Sequence, residues 1–375
     1  MRIETLSVHV GRDTDKTTSA VVPAVHMSTT FERAADGSYP SGYSYARAGN
    51  PSRNDLEACL AQLEGGAEAL AFASGSAASL AVFSLLGAGD HVVAPQQCYH
   101  GTAKQLRELC ARWGVACSFV DMTDLRAVEA AITPHTRLLW IETPSNPSLL
   151  VSDIAALSGL AQRTAALVCC DNTFATPVLQ RPFELGADLV MHSSTKFFGG
   201  HSDVMGGVVI TREAGELSGR LRDYQVTAGS VPSPFDCWLI RRSLTTLPLR
   251  VRAQSQSAHA IAEFLRGHAG VAEVFYPGLE GHPGHALARR QMPGGFGAVL
   301  SFCVRGDRAE AFAVASRLQL FTRATSLGGV ESLIEHRASI EGPQSSTPEG
   351  LLRVSVGLEH VEDLIADLAG GLGAF

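Results

Sequence analysis

The sequence has no long apolar run, no paired-cysteine motif and no surplus of basic residues. No uninterrupted hydrophobic stretch approaches the length that spans a bilayer, so no membrane association is expected. The N-terminal MRIETLSVHVGRDTDK lacks the apolar core and small-residue cleavage site of a secretory signal. The eight cysteines form no C-x-x-C pair. Cys169 and Cys170 are neighbours inside a strand-like run, where a bridge would be strained, so they read as reduced core residues of a cytoplasmic protein. Lys and Arg number 30 against 37 Asp and Glu, a net charge of −7, which leaves no footprint for nucleic acid. No GxGxxG follows a strand, which disfavours a dinucleotide site. A G-x-S-x-G elbow is nearly present at Gly200 to Val204, but its closing glycine is missing. His282 and His285 in GHPGH have a metal-like spacing, yet Pro and Gly between them make a turn and no further ligands cluster nearby. A solvent-exposed turn and no metal are expected.

What remains is an ordinary globular composition, 375 residues with 45% hydrophobic, enough for two domains. From residue 52 onward helical and strand-like segments alternate. SRNDLEACLAQLEGG carries Leu56, Leu60 and Leu63 on one helical face before a Gly-Gly stop. Helical SAASLAVFSLLGAGD precedes the strand HVVAP, and helical GTAKQLRELCARWG precedes VACSFV. Helical DLRAVEAAI and SDIAALSGLAQR are followed by the strands RLLWIE and ALVCCD, and DLVMHS and GGVVIT are further strands. The pattern predicts an α/β fold, a mostly parallel sheet with helices on both faces, with ligands beyond the carboxyl ends of the strands. Residues 1–50, rich in Thr, Ser, Gly, Pro and Tyr, read as an extended arm. Residues 51–246 read as the α/β domain. Residues 247–375 read as a smaller α+β domain, entered through one long helix or two broken at Pro248.

The chemistry centres on ADLVMHSSTKFFGGHSD, residues 187 to 203. Lys196 stands at the mouth of a core strand, with the hydroxyls of Ser193 and Thr195 beside it and a glycine-rich turn behind. An arbitrary lysine in this place would snorkel outward. A turn that gathers hydroxyls and backbone N–H groups makes an anion site, however, and a sheltered lysine loses its proton easily and can form a Schiff base. A phosphate site beside such a lysine suggests pyridoxal 5'-phosphate. That cofactor needs an acid at its pyridine nitrogen, which Asp171 in DNTFATP supplies at the same rim. It needs a donor-rich cradle, which Ser74, Gly75 and Ser76 supply at a helix N-terminus. Tyr99, after HVVAPQQC, is placed to stack on an aromatic ring.

Several blocks in order resemble the Cys/Met-metabolism family of pyridoxal-phosphate enzymes: GYSYARAGNPSR, LEGGAEALAFASGSAA, WIETPSNP, DNTFATPVLQRP, HSSTKFFGGHSD, VPSPFDCWL, SLGGVESLIEH and LLRVSVGLE. The family holds cystathionine γ-synthases, γ-lyases and β-lyases, methionine γ-lyases and sulfhydrylases. The resemblance runs nearly end to end and implies a fold-type I transferase architecture. It also implies cleavage or formation of a C–S bond in a sulfur amino acid, by γ-elimination or γ-replacement. A β-elimination lyase, an O-acylhomoserine sulfhydrylase, and a cofactor-binding paralogue serving as an assembly partner are the alternatives. By resemblance Lys196 is the Schiff-base lysine, Asp171 the pyridine-nitrogen partner, and Tyr99 a stacking and proton-transfer residue. Gly75, Ser76, Thr173, Ser193 and Thr195 belong to the cofactor site. Tyr45 and Arg47 reach a neighbouring subunit's phosphate, implying a homotetramer built as a dimer of dimers. Arg353 clamps the substrate carboxylate, and Asn146 and Ser326 match other substrate-pocket positions.

Three departures touch the substrate end. Thr325 stands where a glutamate often precedes the SLGG block. Lys104 replaces the arginine of YGGT-x-R, which here reads Tyr99-His100-Gly101-Thr102-Ala103-Lys104. The usual P-A-S-M-T-H becomes Arg337-Ala338-Ser339-Ile340-Glu341-Gly342, with a shortened loop to Arg353.

Overall fold

A computed structural model describes residues 1–12, 14–341 and 347–373, so Gly342 and part of the shortened loop lie outside the described residues. Seven strands form the larger sheet: β1 (Glu68–Phe72), β2 (His91–Pro95), β3 (Ala116–Val120), β4 (Thr136–Glu142), β5 (Leu167–Asp171), β6 (Leu189–His192) and β7 (Gly207–Thr211). They lie in the order β1-β7-β6-β5-β4-β2-β3. Strands β3, β2, β4, β5 and β6 pair in parallel, and β7 runs antiparallel to both β6 and β1. The mostly parallel α/β sheet of the sequence reading is therefore present.

Both faces of this sheet are buried, as the apolar strands demand. Leu138 and Trp140 of β4 join one core cluster, and the alternate residues Leu139 and Ile141 join another. The sequence reading did not mark β1. EALAF is alanine-rich and weak in intrinsic strand preference, and only its burial between helices and beside β7 makes it a strand.

A second sheet holds β8 (Val271–Phe275), β9 (Val299–Val304), β10 (Thr322–Arg323), β11 (Leu333–His336) and β12 (Leu351–Ser355), ordered β10-β11-β12-β9-β8. It is antiparallel except for β10 with β11. Two helices, Pro234–Leu244 and Leu247–Gly267, lead into it, and Pro248 falls in the first turn of the second, where a missing N–H costs nothing.

Two expectations are corrected. The first residues are not extended: Ile3–His9 is a helix whose Ile3 and Leu6 pack on the core, followed by buried Val10. The 3-4 spacing of these three apolar residues makes one helical face. His282 is buried, its Nδ1 accepting from the Gly284 N–H (3.0 Å), while His285 stacks on Phe296. All eight cysteines are unpaired. Among the described residues no helix is long and apolar enough to cross a membrane.

Candidate active site

The carboxyl ends of β1, β2, β4, β5 and β6 deliver polar residues to one cavity, where the second sheet closes over them. Its lining includes Ser74, Gly75, Ser76, Tyr99, His100, Glu142, Asn146, Asp171, Thr173, Ser193, Thr195, Lys196, Thr325, Ser326, Arg337 and Arg353.

The lysine follows β6 in a turn that the sequence braces from behind. Arg250 donates to the carbonyls of Phe197 (2.8 Å) and Ser243 (3.0 Å), locking the segment just past the lysine. Gly200 there has φ +66°, and any side chain would collide with the Arg250 guanidinium. Lys196 Nζ donates to Ser326 Oγ at 2.9 Å. Burial first, then the Arg353 charge, push the ammonium down from 10.5 to about 8.

Asp171 ends β5. Its Oδ1 accepts from the Thr173 hydroxyl (2.5 Å) and N–H (3.0 Å), and the Thr173 oxygen in turn accepts from the Ser193 N–H (2.9 Å). Among the described residues Oδ2 has no partner. Burial raises the Asp171 carboxyl above its usual range, offset only in part by the Thr173 hydrogen bonds and the nearby His192. Beneath it, His192 is hydrogen-bonded to Glu64 (2.8 Å), and Glu64 also accepts from Asn172.

The helix Gly75–Phe83 is capped by Ser74, whose hydroxyl accepts from Ala77 N–H (3.1 Å). That leaves the N–H groups of Gly75 and Ser76 at the cavity. Gly75 is obligatory for a different reason: a methyl there would stand 2.7 Å from Ser193 Cβ and Oγ. Thr195 Oγ1 exchanges hydrogen bonds with Gly206 (3.1 and 3.0 Å), fixing the far side of the cradle.

Arg353 lies opposite. Strand pairing sets Glu335 of β11 directly across from Arg353 of β12. Arg353 Nη2 donates to Glu335 Oε2 (2.8 Å) and the Ser326 carbonyl (2.9 Å), and Nη1 to Asn146 Oδ1 (3.1 Å). Its buried Nε has no partner among the described residues. Ser326 is held at φ +95°, an uncommon conformation for a residue with a side chain.

The sequence reading named Lys196, Asp171, Tyr99, Thr173, Gly75, Ser76, Ser193, Thr195, Asn146, Ser326, Thr325 and Arg353, and the fold gathers all twelve at this cavity. Three others do not line it. Lys104 turns outward, 70% exposed, toward Glu108. Tyr45 is exposed, and Arg47 donates to the Val226 carbonyl (2.9 Å) with its guanidinium near the Tyr45 ring.

The sequence reading missed Glu142, Glu335 and Glu64. Glu142 accepts from the Tyr99 N–H (2.8 Å) and the Asn146 N–H (3.1 Å), tying the loops after β2 and β4 together. Burial, then the Asp171 carboxylate, raise its carboxyl. A charged residue closing the apolar run RLLWIE was the available signal.

This donor set suits pyridoxal phosphate. It holds an amine that is easily deprotonated, a carboxylate oxygen without a partner, helix N–H groups beside two hydroxyls, and an exposed tyrosine ring.

Residues 4–373 match the family of Cys/Met metabolism PLP-dependent enzymes. The cystathionine gamma-synthase of Mycobacterium tuberculosis H37Rv is 47% identical over 375 residues, covering 98% of this chain and 96% of that protein. The crystal structure of metB from Corynebacterium glutamicum superposes with a TM-score of 0.97 at 41% identity, covering 99% of this chain and 98% of the other. The apo form of CalE6, a methionine gamma lyase from Micromonospora echinospora, gives a TM-score of 0.93 at 43% identity, covering 100% and 99%. The chain belongs to the Cys/Met metabolism family of enzymes, with pyridoxal phosphate as cofactor.

Proposed function

We propose that the carbon–sulfur chemistry of this enzyme is of the γ type, elimination or replacement on a homocysteine-like amino acid, with Lys196 moving the protons. The observation that carries the reading is the Lys196 amine, at about 8, in one cavity with the open oxygen of Asp171 and the unpartnered Nε of Arg353.

Bound in this cavity, pyridoxal phosphate supplies an electron sink next to the substrate Cα. Lys196 would hold it covalently, Asp171 would meet the ring nitrogen, and Tyr99 the ring face. Gly75, Ser76, Ser193 and Thr195 would hold the phosphate, with Thr173 positioning Asp171. Arg353 would grip the α-carboxylate through the Nε that has no partner among the described residues, with Asn146 and Ser326 at its flanks. Once the substrate's amine has displaced it, the freed Lys196 amine would take the proton from Cα. A second proton, taken from Cβ, lets a sulfur or acyloxy group leave Cγ; departure alone gives elimination, and a thiol that then adds at the vacated Cγ gives replacement. With the leaving group on Cβ, one abstraction suffices.

The active assembly in this reading is a homotetramer of two dimers, each lending Tyr45 and Arg47 to its neighbour's phosphate. Support comes from the exposure of both side chains outside this chain's own cavity. Residues 1–50, 51–246 and 247–375 serve as arm, cofactor domain and substrate-side domain. The unpaired cysteines fit a reducing, cytoplasmic setting. Mixing the inactive Arg47→Ala and Lys196→Ala variants should restore part of the activity, and none would count against shared sites.

The direct test is a panel of cystathionine, methionine, homocysteine, cysteine and O-acylhomoserines. 2-Oxobutanoate, or a thioether from the esters, supports γ chemistry; pyruvate alone points to β chemistry. No keto acid and no thioether refutes the reading.

A further inference from the structure

A second pocket lies outside the active-site cavity, between the N-terminal segment and the helix Pro234–Leu244, and the two share no lining residue. Three arginines line it: Arg12, Arg241 and Arg242. The turn at Gly11 brings the first of them there. Gly11 has φ +64°, and a side chain on it would collide with the Asp55 carbonyl oxygen. Arg241 Nη2 donates to the Val10 carbonyl (2.8 Å), tying that turn to the helix. Trp238 Nε1 donates to the Pro23 carbonyl (2.9 Å), which fixes Val22 and Pro23 as a further wall.

A buried arginine ordinarily sits against a carboxylate. Here no described carboxylate lines the pocket, in a chain whose net charge is −7. Arg241 is only 5% exposed, yet the Val10 carbonyl is the one acceptor its side chain has among the described residues, and its buried Nε has none. Burial pushes its guanidinium below the usual range, and the Arg12 charge adds to that, with Cys59 and Asp55 opposing. The last turn of Pro234–Leu244 favours cations, which gives Arg241 and Arg242 a place at a helix end. It does not account for Arg12, which arrives from another part of the chain and adds like charge. Guanidinium forks sharing one pocket, with N–H groups to spare, are the donor set of a phosphoryl group. The pocket holds about 450 Å³, more than a bare phosphate fills and within the range of small-molecule sites. The half-buried Trp238 lines it as well and offers an apolar ring to an organic group.

We propose that this pocket binds a small phosphate ester, with its phosphoryl oxygens on Arg12, Arg241 and Arg242 and its organic part against Trp238. Inorganic phosphate presents the same oxygens without the organic part, and the test separates the two. The site is independent of the proposed reaction, since none of its residues reaches the active-site cavity.

The test uses the holoenzyme, whose filled cofactor site cannot take up added phosphate, with inorganic phosphate and adenosine monophosphate as separate probes. Calorimetry on wild type should find saturable binding of both, with the nucleotide about twofold to tenfold tighter because it adds a ring against Trp238. Arg241→Gln should weaken both probes about tenfold or more, as expected for charge-assisted bonds from a buried group. Arg242→Gln, at the exposed rim, should weaken both about twofold to fivefold, since water screens its charge. No saturable binding of either probe overturns the inference; a neighbouring subunit filling the pocket would give that result. So does binding that neither substitution weakens. Equal affinity for the two probes would overturn the assignment of an ester. Should Arg241→Gln fail to fold, the double variant Arg12→Gln and Arg242→Gln reads the same site from its half-buried and exposed members. It should weaken both probes about tenfold, and an unchanged affinity would overturn the proposal.

Discussion

The cavity has a floor and a lid, and they differ in how they are built. The floor comes from five strand ends of the larger sheet and carries Gly75, Tyr99, Asp171, Thr173, Ser193 and Lys196. Each of these sits in a short contiguous motif, and all but the Tyr99 motif, which departs at His100 and Lys104, keep the family's pattern. The lid carries Thr325, Ser326, Arg337 and Arg353 from the second sheet and its loops, and two of the three departures fall there. A floor that keeps most of the family's motifs under a lid that departs from them separates two questions. In the proposed reading, floor residues decide whether cofactor chemistry occurs, and lid residues decide which amino acid undergoes it.

The largest effect expected is on the floor. Lys196→Ala removes the group proposed to move protons at Cα and should lower turnover by about 10²–10⁴ or more, with the circular dichroism spectrum unchanged. Loss confined to one substrate, with the rest of a substrate panel unaffected, would erase the distinction between floor and lid.

On the lid, Thr325→Glu should raise kcat/KM for cystathionine relative to methionine. Thr325 is exposed at the cavity mouth, so water screens the new charge and the gain is small, about twofold to fivefold. An unchanged ratio would remove Thr325 from the specificity lid.

The smallest effect separates two properties of Ser326, its hydroxyl bond to Lys196 and its φ of +95°. Ser326→Ala loses the bond and keeps the backbone cost, whereas Ser326→Gly loses the bond and relaxes the backbone. Glycine should therefore be the more stable of the two by about 1 kcal/mol, read as a difference in denaturant midpoint. Equal stability would mean that the lid does not hold Ser326 under strain.

The same division explains what could be read from the sequence. The floor was legible because its elements alternate with clear periodicity and its residues lie within a few positions of a strand end. Strand β1 was not, because EALAF acquires its strand identity from pairing with β7. The lid was only partly legible. Arg353 stood out in a recognisable motif, but its partner Glu335 is set by the register of β11 on β12, which no local pattern announces. Glu142 was missed for a similar reason: Asn146 is a local partner, but Tyr99 meets it only once β2 and β4 are neighbours. Tyr45 and Arg47 lie outside this chain's cavity, so a role in a neighbouring site is beyond what one chain's contacts can express.

The central claim is that the floor holds a lysine made reactive by its surroundings, and attachment of the cofactor as a function of pH tests it most directly. Apoprotein is mixed with pyridoxal phosphate, reduced with borohydride at intervals, and the labelled peptide identified. A lysine whose folded value lies near 8 rather than 10.5 becomes the free, nucleophilic amine as pH rises through about 8. The account predicts one label, on Lys196, with an initial rate that climbs between pH 6 and about 9 and then levels off. Label on a different lysine, or a rate still climbing toward 10.5 as for an ordinary exposed amine, would contradict it.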